Sequence, residues 1–509
     1  MIPSIWTRKR RLVPRWRRLA VTAKARELAT PPRLNESSSA LPIDRDLLDK
    51  LARWRADQSI VSAGELVEAA VVAAKESEAA HAARFLLDPR STATAPLKRL
   101  AALTLKRAGY ENEVPNGLEI LASDEKRVWR ERTRMYPNNP LGWVELSLFD
   151  VIAGRHQSAL RSMQIALQLA PNDRHVLRSA SRLFLHLGDP DRAYDILLRS
   201  GATKSDPWLI AAELSIAELA GQKPRYFEQG RRLVEQGQFY PRQITELSGA
   251  IATLELGAGK RKKSRDFFRT SLTDPSGNAV AQAEWASPEF NVELVSPQTF
   301  STASEVDEAT AFHLLREKKF GDVPAACERW SQGEPYSIRP FEVGSSTAAM
   351  IGDYEKALKL AQQGLLVRPN AKLLLNNQAF SLAHLGRLKE AEQSLRGIGQ
   401  EDERLWLVSQ ANRGLISMRS GQHQAGMTYY RDAIEGFKKL QKPQMIAIAR
   451  VYLAREAARA GLPEASELLT SAREELEKLK LTAHQHILEE AEKAISQSIE
   501  VPANLETSV

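Results

Sequence analysis

The chain has 509 residues, 43% of them apolar, with a formal net charge of +8 and a single cysteine. That length suits two to four ordinary domains or one long repeat array. No run of 18 apolar residues occurs, so no transmembrane helix is expected. One cysteine, Cys327, excludes an internal disulfide and a cysteine-based metal cluster, and a reducing cytosol fits that usage. In PAACERW it reads as a small buried hydrophobe rather than a nucleophile.

The chain starts MIPSIWTRKRRLVPRWRR, with no apolar stretch after its charges. It does not read as a secretory signal, and it lacks the serine enrichment of a transit peptide, so a cytoplasmic protein is expected. Residues 1–34 carry ten basic side chains and one acid, Glu27, a balance of +9; the remaining 475 residues sum to −1. The basic character therefore belongs to a tail. Arg8, Lys9, Arg10, Arg11, Arg15, Trp16, Arg17 and Arg18 are its candidate contacts for an anion or nucleic acid. Such charge attracts phosphates in a salt-dependent way, and tryptophan stacks on bases or lies in a membrane interface. Two readings stay open: a docking arm for nucleic acid, an anionic membrane or an acidic protein, or a disordered solubilising tail or leader. TPPRLNESSSALP, residues 30–42, reads as a linker, which sets residues 1–40 apart.

A repeat begins beyond it. Gly64 and Ala69 mark a degenerate first copy. Residues 140–173, PLGWVELSLFDVIAGRHQSALRSMQIALQLAPND, give the pattern clearly. Counting Pro140 as position 1, Trp143, Leu146, Gly154, Ala159, Ala166 and Pro171 hold positions 4, 7, 15, 20, 27 and 32. The next 34 residues place Leu177, Ala180, Gly188, Ala193 and Ser200 at 4, 7, 15, 20 and 27. Gly221 marks another turn, and Leu247, Leu254, Phe267 and Pro275 sit near 4, 11, 24 and 32. Gly321, Ala326 and Trp330 fit 15, 20 and 24. The pattern returns with Phe341, Gly344, Gly352, Ala357, Gly364 and Pro369, then Leu375, Gly386, Ala391 and Ile398, then Gly414, Gly421, Tyr430 and Ala433. This resembles the tetratricopeptide repeat (TPR), a 34-residue helix–turn–helix unit.

The pattern has a packing logic. Small residues at 20 and 27 let two helices approach, large ones at 4, 11 and 24 fill between them, and glycine at 15 ends the first helix. One such pair cannot bury its own apolar face, so neighbours must stack. The expected fold is all-α, a right-handed superhelical solenoid of TPR-like helix–turn–helix repeats. It divides into an array over 41–275, an irregular joint over 276–304, where two prolines and polar residues break the rhythm, a second array over 305–495 and a frayed tail over 496–509.

Signatures of chemistry are missing. GAGKRKKS at 257–264 fails as a phosphate loop, since residue 254 is Leu where Gly is needed and residue 261 is Arg where Ser or Thr is needed. It reads as a helix–helix turn with a basic edge extended by Arg265 and Arg269. No HExxH or G-x-S-x-G occurs, and His484 and His486 fall on different helix faces. No cofactor, metal site or catalytic residue is expected.

The resemblance implies instead a concave groove, made from positions 2, 5, 9, 12 and 13 of each first helix, that binds segments of partner proteins. Those slots hold Leu141, Val144 and Leu148 in the first clear repeat, then Arg178, Arg182 and His186. Further on they hold Asn376, Phe380 and His384, with Asn412 beyond. An apolar stripe beside a basic one suits an acidic segment with apolar anchors; the competing reading is that residues 41–135 cover the stripe. The lysine and asparagine clamp of chaperone-tail-binding TPR proteins is missing, because Glu342 and Ser346, or Val144 and Leu148, occupy its slots. The function these features support is a non-enzymatic scaffold or adaptor that assembles a protein complex. The alternative is a nucleic-acid-associated repeat protein anchored by its basic tail.

Overall fold

A computed structural model describes Arg10, residues 12–16, and residues 45–503 apart from Ala74, Pro89 and residues 116–121. Among the described residues the secondary structure is entirely helical. The helices are α1 Arg45–Ala56, α2 Ile60–Ala73, α3 Ala80–Leu87, α4 Ala95–Arg107, α5 Ala122–Met135, α6 Pro140–Ile152, α7 His156–Leu169, α8 Arg174–His186, α9 Pro190–Arg199, α10 Pro207–Leu219, α11 Phe227–Glu235, α12 Pro241–Gly257 and α13 Arg261–Ser271. They continue as α14 Gly277–Phe290, α15 Pro297–Thr302, α16 Asp307–Arg316, α17 Val323–Gly333, α18 Arg339–Met350, α19 Tyr354–Val367, α20 Lys372–His384, α21 Leu388–Leu395, α22 Glu403–Arg419, α23 His423–Lys439, α24 Pro443–Arg459, α25 Ala465–Lys478 and α26 Gln485–Ala503.

Two compact units emerge. An N-terminal unit contains Arg11–Pro275, and a C-terminal unit contains Ser276–Val509 together with Arg10. Within each, helices pack as antiparallel pairs in chain order, and each pair stacks on the next. The turn between paired helices repeats one device. Gly154, Gly188, Gly352, Gly386 and Gly421 have φ between +69° and +83°. The amide after each reaches the carbonyl five residues back, as from Arg155 to Asp150 and from Asp189 to Phe184, a Schellman closure that only glycine makes cheaply. Helix starts are capped in the same economical way: Asp173, Asp189, Asp353 and Asp402 each accept a hydrogen bond from a first-turn amide. Ala159, Ala193, Ala357 and Ala391 are fully buried where the two helices of a pair cross.

Four expectations change. Gly64 lies inside α2 against Leu97, so it serves helix packing and not a turn. The turn before α17 uses Lys318, at φ +58°, and not Gly321. Residues 276–304 are not irregular: they form α14 and α15. Pro297 opens α15, where a missing amide hydrogen costs little, whereas Pro288 sits inside the last turn of α14 and leaves the Glu284 carbonyl without its helix hydrogen bond. The frayed tail does not begin at 496, because α26 runs to Ala503.

Replacing Ala357 with Trp should overpack the α18–α19 crossing and lower stability by about 1–3 kcal/mol or more. The same change at Leu366, which is 77% exposed, should leave the melting temperature unmoved; equal melting of the two variants would refute the register.

Candidate functional site

The first helix of each pair carries the slots read as a groove. In the N-terminal unit, Leu141 is half-buried on α6 while Val144 and Leu148 are fully buried. The open apolar stripe therefore does not exist. The chain's own α5 packs on α6: Lys126 Nζ pairs with Asp150, and the Thr133 side chain fits against Gly142. Arg178 is likewise engaged. Its Nη2 donates to Glu246 at 2.7 Å, its Nη1 donates to the Trp208 carbonyl at 3.1 Å, and its guanidinium lies 4.8 Å from the Trp208 ring. Arg178 thus ties α8 to α10 and α12. Arg182 is half-buried, and His186 is buried with its ring edge-on to His156. A basic stripe inviting an acidic segment is not what these residues make, because the carboxylate that meets Arg178 is already in the chain.

The tail residues within the described part are also placed. Leu12, Pro14 and Trp16 are buried in the N-terminal unit outside any helix or strand, and Arg15 is half-buried. A Cβ at Gly249 on α12 would stand 2.7 Å from Leu12 Cδ1, so glycine there makes room for that leucine. Arg10 is buried in the C-terminal unit, 3% exposed. Neither Arg10 nor Trp16 is a free contact for an anion. Burial of leucine and tryptophan drives the segment onto protein where charge alone suggested a solvated tail. Arg8, Lys9, Arg11, Arg17 and Arg18 lie outside the described residues.

In the C-terminal unit, Asn376, Phe380 and Asn412 share one buried patch. Asn412 Nδ2 donates to Asn376 Oδ1 at 2.8 Å, and neighbouring Asn377 donates to Ser345 and Ser346 at 2.9 Å each. Phe380 packs edge-on against Tyr354 and Tyr452. These asparagines bind their neighbours in the array.

Beside this patch opens a cavity of about 700 Å³ lined by Tyr354, His384, Arg419, Arg459, Glu490 and Lys493, with small residues of α24 and α26. Its wall is an ion network that the sequence pattern did not disclose. Arg419 grips Glu456 with Nε and Nη2, at 3.0 and 3.1 Å, and its Nη1 caps α20 through the Ala383 and His384 carbonyls. Arg455 donates to Glu456 at 2.9 Å, to Glu490 at 3.3 Å and to His384 Nε2 at 2.6 Å. His384 must then carry its proton on Nδ1, which donates to the Phe380 carbonyl at 2.9 Å. Burial, then Arg455 and Arg419, holds His384 well below the usual histidine range, so it is neutral. Burial works against ionised Glu456, but the two arginines outweigh it and keep that carboxyl low. Arg459 and Lys493 stand exposed at the mouth. The one available signal was the Arg455–Glu456 pair inside the mostly apolar PQMIAIARVYLAREAAR.

Other candidates resolve as structure. GAGKRKKS is the end of α12, a turn at Gly259 and the start of α13, with Lys260 paired to buried Glu255 at 3.1 Å. Cys327 is buried and burial pushes its thiol far up, which makes it a poor nucleophile. Among the described residues no group of three or more His, Cys, Asp or Glu is placed to hold a metal ion, and no helix is long and apolar enough to cross a membrane.

Two predictions follow from these charges. Glu456→Ala should leave half-buried Arg419 without its carboxylate and buried Arg455 with Glu490 alone, and cost about 3–5 kcal/mol in urea unfolding; a loss below 1 kcal/mol would mean the network is solvated. Burial lowers His175 from 6.5 to about 4. The folded chain then binds fewer protons than the unfolded one between those values. Stability from this group is full above pH 6.5 and falls as pH drops towards 4, by roughly 3 kcal/mol at most. His175→Gln should flatten that part of the pH profile; an unchanged profile would reject the assignment.

No family model matches the chain, and no curated protein matches it. Among solved structures, the crystal structure of the APC/C hetero-tetramer Cut9–Hcn1 is similar over 88% of this chain and 92% of that chain, at 11% identity and a TM-score of 0.38. A likeness this distant says nothing about function. By its own helix pairs, turn glycines and crossing alanines, the chain folds as a helical-repeat array whose helix–turn–helix pairs resemble the tetratricopeptide unit.

Proposed function

We propose that the chain is a non-enzymatic scaffold that holds a segment of a partner protein on the first helices of its repeats and so assembles a complex. One observation carries this reading: those helices already hold residues that have no regular structure of their own. Arg10 sits on α14 and α16, and Leu12 sits on α12, each without helix or strand of its own. A surface that orders an extended segment through side chains is the kind that recognises peptides. The cavity at Arg459 and Lys493 gives a partner room beside it. The finer expectation, an acidic segment with apolar anchors, loses its support at Arg178, Val144 and Leu148, and what remains for an acidic group is the basic mouth of that cavity. The nucleic-acid reading would rest on tail residues outside the described part, and no observation favours it.

A photo-crosslinking residue in place of Lys493, with Leu366 as the control position, tests the scaffold. Irradiated in native cells, the Lys493 position should give a discrete protein adduct about ten-fold stronger than the control, resistant to nuclease and weakened by Arg459→Glu. Adducts equal at both positions, or lost on nuclease treatment, would reject it.

A further inference from the structure

Arg10 is held more completely than a helix–helix latch requires. All three guanidinium nitrogens are engaged. Nε and Nη2 donate to the two oxygens of Glu308, at 3.0 and 2.8 Å. Nη2 also donates to Asn278 Oδ1 at 2.8 Å, and Nη1 donates to Gln282 Oε1 at 2.5 Å. Gln282 turns its other end to the main chain, donating from Nε2 to the Arg10 carbonyl at 3.2 Å. Side chain and backbone are read together. The slot that does this is built into the fold. Asn278 and Gln282 lie one turn apart on α14, and Glu308 opens α16. A Cβ at Gly277 would stand 2.1 Å from the Glu305 carbonyl oxygen, so glycine there lets the chain before α16 cross the start of α14.

We infer that Asn278, Gln282 and Glu308 form an arginine-reading site for an extended protein segment, filled in this chain by its own Arg10, for which a partner's arginine-bearing segment competes. The inference rests on the scaffold reading and names the chemistry of the partner. Geometry selects arginine. A planar fork can meet a carboxylate and two amide oxygens at once, whereas a lysine ammonium is a point charge that cannot span them. An acidic residue would face Glu308. The site also tolerates exchange. Glu308 keeps a second counter-charge, because Arg339 Nη1 lies 2.9 Å from its Oε1. Arg339 is 38% exposed and leans on the rings of Trp330 and Phe312. Withdrawal of Arg10 therefore leaves no orphan charge, and the two amides are groups that water can satisfy.

A fluorescein-labelled peptide of residues 5–14, IWTRKRRLVP, is the probe, titrated by anisotropy into the full-length chain. The wild type should bind it weakly, because the tethered segment competes at an effective concentration of about millimolar. Full-length Arg10→Ala should bind it about ten-fold or more tightly than the wild type. Adding Glu308→Gln to that variant should abolish the gain. The peptide with Ala at its Arg10 position should lose binding, while Ala at Arg8 or Arg11 should not. Full-length Arg10→Lys keeps a charge in the slot without the fork, and should bind with intermediate strength. Equal binding by wild type and Arg10→Ala overturns the inference, as does equal binding of the two peptides. Loss of folding, by circular dichroism, in both Arg10 variants also overturns it, since Arg10 would then be permanent structure. The Lys493 crosslink does not involve this slot, so failure here and failure of the scaffold are read separately.

Discussion

Paired helices in this chain cross through side chains of almost no volume. Ala159, Ala193, Ala357 and Ala391 are each fully buried at such crossings. Close approach is what makes dispersion and apolar burial effective between short helices. It also leaves each pair with an unburied apolar edge, which only the next pair can cover. The stacking, the turn glycines with positive φ and the aspartate caps all serve that one requirement.

Stacking has a consequence for the polar residues. The first helices line up side by side, so polar side chains on their shared face meet their counterparts one or two repeats away. Asn376 finds Asn412, Arg178 finds Glu246, and Arg419 finds Glu456. Burying such groups is tolerable only because each is paired. The Arg455 network shows the extreme case, where one buried guanidinium orients a glutamate and fixes a histidine tautomer. These pairs specify which helix faces which, and of their members Arg419 also lines the cavity.

The slot at Asn278, Gln282 and Glu308 uses the same chemistry on a segment instead of a helix. Arg10 meets a carboxylate, two side-chain amides and a main-chain contact from Gln282. An array whose first helices satisfy each other's polar groups can equally satisfy those of an extended chain. Its own N-terminal segment is the one in place. Arg10 of the basic tail is thus engaged through protein contacts, and Arg339 gives Glu308 a second counter-charge.

Local rules made the helix pairs legible. Glycine at a left-handed turn, alanine at a crossing and aspartate at a cap each act within a few residues, so their spacing determined the repeat from Pro140 to Ala166 and from Phe341 to Ala433. Where a rule was misapplied, the residue had a second use: Gly64 packs inside a helix, Pro297 opens one, and Pro288 is carried in the last turn of another. The site was much less legible. Leu148 and Arg178 stand at groove positions, but whether a groove position is open depends on what another part of the chain lays over it or offers to it, here α5 and Glu246. Arg10 read as one cation among many because its partners lie more than 260 residues away. Spacing within one segment determined the architecture; only the tertiary structure decided which charges were already answered, since an ion pair depends on distance in space and not on distance along the chain.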